Sequence, residues 1–217
     1  LTLGSLAILY STIYSLDIPG FENPREKAIH YAERAATLNP DNQRILAILA
    51  FVRFISNELT AAINGAQRAL ELNPQSLFVL DGIAWILTLS GDWAHGPNLA
   101  QKAIDLNPFH RAVAHDALWV NYLRQEKYDL AYKESCSRQR QNLFWDPLMK
   151  AVSLGLAGRK AEGKKWAEKL LELRPDFQVK GSWLIGNYIK FDEIHEKILT
   201  GLSRSGLKVD PSPSILS

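Results

Sequence analysis

Three stretches of this chain are nearly one stretch. Ala28 to Pro40 reads AIHYAERAATLNP, Ala62 to Pro74 reads AINGAQRALELNP, and Gly96 to Pro108 reads GPNLAQKAIDLNP. The closing prolines at 40, 74 and 108 set a period of 34, taken twice. Small residues recur at fixed offsets: Ala28, Ala62 and Gly96 in one column, Ala32, Ala66 and Ala100 in a second, Ala35, Ala69 and Ala103 in a third. Within a unit these fall at i, i+4 and i+7, one stripe of an α-helix. A stripe of small side chains lets a neighbouring helix approach closely. Leu-Asn-Pro then ends each helix, because proline pushes the preceding residue out of the α region and lacks the N–H that the turn would use.

A small-residue helix recurring every 34 residues and closing on proline resembles the second helix of a tetratricopeptide repeat. The resemblance implies an all-α, right-handed α-α superhelix of about six helix-turn-helix pairs. On that frame the repeats fall at about 1–40, 43–74, 77–108, 109–143 and 144–175, with a terminal helix pair over 178–206 and a disordered tail over 210–217. Asn57, Gly91 and Gly158 mark the turns inside repeats two, three and five. In repeat four Ala131 lies 35 after Gly96, so one residue has been added, and Ser135 and Arg138 stand where alanines are expected. Gly163 and Ala167 restore the pattern in repeat five. In the last pair Ile194, Ile198, Leu199 and Leu202 form an apolar stripe that reads as a stability cap.

The terminal run carries a narrower resemblance. Leu173-Arg174-Pro175-Asp176-Phe177, then Ile194 to Leu202, then Ser205-Gly206-Leu207 is similar to the end of the tetratricopeptide regions that follow the catalytic domain in some bacterial class III adenylate and guanylate cyclases. That resemblance implies a regulatory region, with any chemistry elsewhere. The only methionine is Met149, so the chain is expected to be an excised piece of a longer protein.

Composition limits the function. With 217 residues and 47% hydrophobic content the chain can bury a sizeable core. A formal net charge of +2 argues against a nucleic-acid partner, which calls for a clear basic excess. One cysteine, Cys136, rules out an internal disulfide and fits a reducing, cytoplasmic setting, within a larger protein that could itself be membrane-linked. The apolar start, Leu1 to Leu16, is interrupted by glycine, serine and threonine and is shorter than a bilayer span of about 20 residues. It reads as the first helix of repeat one rather than a juxtamembrane helix, and no direct membrane insertion is expected.

The residues point to no catalytic group, cofactor or metal. No phosphate-binding loop or paired-cysteine spacing is present. His110 and His115 are five apart, off a common helix face, and His195 with Glu196 is an isolated pair. Cys136 reads as a packed small residue. The basic cluster Arg159, Lys160, Lys164, Lys165 and Lys169 alternates with Glu162 and Glu168, as a solvated helix face does.

The expected activity is therefore protein interaction: a peptide or partner helix in a concave groove lined by the first helices, with a small-molecule-sensing domain or a homo-oligomeric scaffold, such as a homodimer, as the alternatives. Phe51, Trp85 and Trp119 are spaced 34 and 34 on first helices, and they are expected to form an aromatic ladder in that groove. Phe54, Phe78 and Tyr122 lie near the same face, with Asp81, His115 and Asp116 as polar points. Two competing readings stay open. If the extra residue of repeat four precedes its first helix, Trp119 is core and Val120 takes the groove position. Aromatics at repeat spacing can also simply pack helix on helix. The family's carboxylate clamp, which uses Lys and Asn on successive first helices, is absent: Ala47, Phe51, Asp81 and Trp85 occupy its positions.

Overall fold

In the computed structural model, residues 2–137 and 143–211 are described, apart from the side chains of Leu77 and Phe78. The described residues form twelve α-helices and no strand. They divide into two compact units, 1–117 and 118–217, with the boundary inside one helix.

The first unit holds α1 (Leu3–Ser15), α2 (Pro24–Leu38), α3 (Gln43–Ile55), α4 (Leu59–Leu72), α5 (Leu77–Leu89), α6 (Gly96–Leu106) and the beginning of α7 (Val113–Arg124). Its helices pack as consecutive pairs, α1 on α2, α3 on α4 and α5 on α6, and the pairs stack through α2 on α3, α4 on α5 and first helix on first helix. Each alanine column is buried. Ala28, Ala32, Ala35, Ala62, Ala66, Ala69, Ala100 and Ala103 are at most 3% exposed. Gly96 shows why that column carries glycine once: a Cβ there would lie 2.5 Å from the Thr88 backbone nitrogen, so α5 and α6 touch at their backbones. The Asn-Pro endings work as local rules require. Asn39, Asn73 and Asn107 close α2, α4 and α6 with φ of −143°, −157° and −127°, an extended backbone.

The second unit holds the remainder of α7, then α8 (Tyr128–Ser137), α9 (Trp145–Leu156), α10 (Lys160–Leu173), α11 (Phe177–Gly186) and α12 (Asp192–Arg204). Ser135 is fully buried and continues the small column after Ala131. Cys136 beside it is exposed, so it does not pack as the sequence suggested; one position along a helix turns a side chain by about 100°. Arg138, the third member of that column, lies outside the described residues.

The terminal pair departs from a regular repeat. Here α12 packs chiefly on α9, with smaller contacts to α10 and α11. Its buried stripe is Ile194, Ile198, Gly201, Leu202 and Ser205, with Leu199 turned partly outward. Gly201 and Ser205 allow the close approach: a Cβ on Gly201 would lie 2.7 Å from the Val152 carbonyl oxygen, and Ser205 Oγ donates to the Ala151 carbonyl at 2.7 Å. The Asp210 amide donates to the Gln178 carbonyl at 2.8 Å, and residues 212–217 of the expected tail lie outside the described residues.

One turn recurs in both units. Two residues past the end of α3, α5, α7 and α9 the chain adopts positive φ: Asn57 at 67°, Gly91 at 100°, Glu126 at 59° and Gly158 at 80°. In each case the next amide bonds back five residues, Glu58 to Arg53, Asp92 to Leu87, Lys127 to Tyr122 and Arg159 to Leu154, which is a Schellman closure. These turns give a register for comparing first helices. Counting back seven residues from each reaches Ala50, Ala84, Trp119 and Ala151.

Candidate functional site

That register decides between the two readings of Trp119. The added residue of repeat four precedes the end of α7, so Trp119 stands in the column of Ala50, Ala84 and Ala151, a core position. It is 1% exposed, and its Nε1–H donates to Ser153 Oγ at 2.9 Å, inside the second unit. Ser153 in turn donates to the Met149 carbonyl at 2.8 Å, so the buried hydroxyl both accepts and donates. Val120 takes the register of Phe51 and Trp85, and it too is buried.

Trp85 is also a packing residue in the first unit, 6% exposed. Its ring meets Phe54 edge-on at 5.0 Å and Phe51 at 5.9 Å, so α5 is keyed into α3 by an aromatic cluster. Phe54 is fully buried. The ladder of three exposed rings is therefore not formed: Trp85 and Trp119 have been covered by neighbouring helices. Phe51 is half-buried, on the face of α3 that also carries Arg44 and Ala47 at i−7 and i−4. Tyr122 and Asp116 are likewise half-buried, and the side chain of Phe78 lies outside the described set.

Asp81 serves the fold. It is 2% exposed, and its carboxylate accepts from the Arg111 backbone amide at 2.8 Å, from Arg111 Nε at 2.9 Å, from the Arg111 guanidinium terminus, and from the Gly82 amide at 2.6 Å. A buried carboxylate needs such partners. The effect is to tie the segment before α7 onto α5. Gly82 leaves the room, since a Cβ there would lie 2.6 Å from the guanidinium.

The same segment brings together two residues that sequence spacing had set apart. His110 lies in the loop after α6 and His115 in the first turns of α7, so five residues do not place them on one helix. Their Nε2 atoms are 3.0 Å apart and their rings 4.9 Å, centre to centre. Asn107-Pro108 was the available signal: a helix stop just upstream puts His110 in a loop free to fold back.

Among the described residues no group of three or more His, Cys, Asp or Glu is placed to hold a metal ion, and no helix is long and apolar enough to cross a membrane. The basic cluster of α10 is laced with exposed ion pairs, Arg159 with Glu162 at 2.7 Å and Lys169 with Glu172 at 2.6 Å. An open cleft of about 390 Å³ lies among Thr2, Ser5, Asn39, Asn42 and Arg44 at the start of the first unit.

No family model matches the sequence, and no curated protein matches it. Solved structures do. The chain is similar to YrrB, a tetratricopeptide protein with an unusual peptide-binding site, at 17% identity and a TM-score of 0.51, over 80% of this chain and 90% of that one. It is similar to MamA at 18% identity and 0.51, over 80% and 94%. A tetratricopeptide repeat protein from Parabacteroides merdae ATCC 43184 aligns at 15% identity and 0.52, over 96% and 80%. The helix pairs, their small-residue columns and these neighbours together show that the fold is that of the tetratricopeptide-repeat proteins.

Proposed function

We propose that this chain is a non-catalytic protein-interaction module that holds an extended peptide or a partner helix against its first helices, with Phe51 as an apolar contact in the first unit. The half-buried Phe51, set against the buried Trp85, which packs in turn on Phe54, carries the reading. A rigid aromatic supported from behind loses little entropy on binding. Peptide binding by YrrB, which shares the fold, supports it. The test is selection of peptides from a displayed library on the whole chain, followed by affinities for Phe51→Ala and for Phe109→Ala, a 90% exposed loop residue, as control. Loss of binding with Phe51→Ala and not with Phe109→Ala is expected, in a variant whose far-ultraviolet spectrum shows it folded at the assay temperature; some loss of stability accompanies it, because the ring packs on Trp85. Enrichment of no peptide, or binding indifferent to Phe51, would refute the assignment.

We further infer that the module is the regulatory part of a bacterial cytoplasmic signalling protein of the class III cyclase kind. The support is the terminal run from Leu173 to Leu207 and its likeness to cyclase tails. Reading the gene upstream tests it: a cyclase domain is expected, and an unrelated domain would remove the inference.

A further inference from the structure

We propose that His110 and His115 form a binding site for a borderline divalent transition-metal ion, copper(II) above all. An imidazole nitrogen binds such an ion at about 2.0–2.1 Å, which sets two neighbouring ligands on one ion about 2.9–3.4 Å apart for angles between square and tetrahedral. The two Nε2 atoms already stand 3.0 Å apart. That separation lies within the range, so an ion is admitted by turning the rings until both lone pairs meet it, without a change in the distance between the two nitrogens.

The segment between them is held in place. Arg111 is bound through its backbone amide and its guanidinium to the buried Asp81 carboxylate, so the loop carrying His110 is pinned to α5 while His115 rides on α7. His110 Nδ1 lies 2.8 Å from the Asn107 carbonyl oxygen. A carbonyl only accepts, so Nδ1 carries the proton and Nε2 presents its lone pair. This is the arrangement in which a ligating histidine is oriented by a backbone carbonyl behind it. In the metal-free pair His115 then donates from Nε2. Ligation requires that proton to leave His115 Nε2, taken up by the other nitrogen of the ring or by solvent. His115 is 9% exposed, whereas His110 is half-buried and leaves an approach from solvent. Two imidazoles with water in the remaining positions select ions by the Irving–Williams order, copper(II) above nickel(II) and zinc, with magnesium and calcium excluded by their preference for oxygen.

The experiment uses the full chain, untagged and carrying Cys136→Ser so that the exposed thiol neither binds nor reduces copper. Copper(II) is titrated by calorimetry at neutral pH, and the bound ion is examined by electron paramagnetic resonance. One equivalent with two imidazole nitrogens is expected. His110→Ala, in a loop, should weaken binding by at least the roughly 10-fold that even an outer-shell partner contributes, and His115→Gln should do the same. His95→Ala, at an exposed histidine paired with Asp92, should leave it unchanged. Copper binding that survives His110→Ala, a signal with one imidazole, or loss with His95→Ala would overturn the proposal, and the His110 variant remains decisive if His115→Gln folds poorly.

Discussion

Adding one methyl group at Gly155 is expected to destabilise the protein, although the same change elsewhere in a helix usually helps. Gly155 is the penultimate residue of α9 and faces α12. A Cβ there would sit 2.6 Å from Ser205 Oγ and well inside 3.0 Å of the Gly201 carbonyl oxygen. The hydroxyl can turn aside, but the carbonyl belongs to a helix backbone. Relief therefore requires α12 to draw back. That loosens the contacts that bury Ile194, Ile198 and Leu202, each at most 2% exposed, and stretches the 2.7 Å bond from Ser205 to the Ala151 carbonyl. Overpacking of this kind costs about 1–3 kcal/mol, against a helix-propensity gain of at most about 1 kcal/mol, reduced near a helix end. We expect Gly155→Ala to lower stability by about 1–2 kcal/mol. Gly186, the last residue of α11, has no atom within 4 Å of its would-be Cβ, so Gly186→Ala is expected to be neutral or stabilising by up to about 1 kcal/mol. Urea titration followed by far-ultraviolet circular dichroism compares the two at constant m-value. A Gly155→Ala protein as stable as Gly186→Ala would refute the backbone contact between α9 and α12.

Trp85→Ala should cost about 3–5 kcal/mol, the usual figure for emptying a core tryptophan site; a change below 1 kcal/mol in the same urea assay would return Trp85 to an exposed surface. Glu126 holds a left-handed conformation that an L side chain adopts at a cost of about 1–2 kcal/mol, partly offset by glycine's larger unfolded-state freedom. Glu126→Gly should thus raise stability by about 0.5–1 kcal/mol, since the ion pair it loses with Lys197 is exposed on the Glu126 side; a lower melting temperature would contradict this. Burial, more than the opposing charges of Glu196 and Asp192, holds the His195 imidazole below its ordinary range. The unfolded chain then binds that proton first, so the contribution of His195 is complete above about pH 6.5 and is lost as pH falls toward the lower folded value. His195→Gln should flatten that part of the stability–pH curve between about pH 5 and 7, and an unchanged slope would count against it.

The rules visible in the sequence are those that act within one or two turns of chain. Proline after Asn39, Asn73 and Asn107 ends a helix wherever it stands, and Gly91, Gly158 and Asn57 accept positive φ without help, so helix ends and turns were legible. The alanine columns were legible as well, because three copies at one spacing report which stripe is buried. Glu126 was not, since nothing in its side chain announces the left-handed turn that its place after α7 imposes. Tertiary structure alone decided the fate of the aromatics. Trp85 and Trp119 repeat at 34 residues, but the residue inserted before the end of α7 turns Trp119 by about 100° into the column of Ala84, and no local signal locates an insertion inside a loop. Trp85 was covered because Phe54 and Phe51 of the neighbouring helix meet its ring, which depends on how closely α3 and α5 approach. The same holds for His110 and His115, joined by a loop that Asp81 pins from another helix, and for Gly155 and Gly201, whose lack of a side chain acquires meaning only where two helix backbones touch.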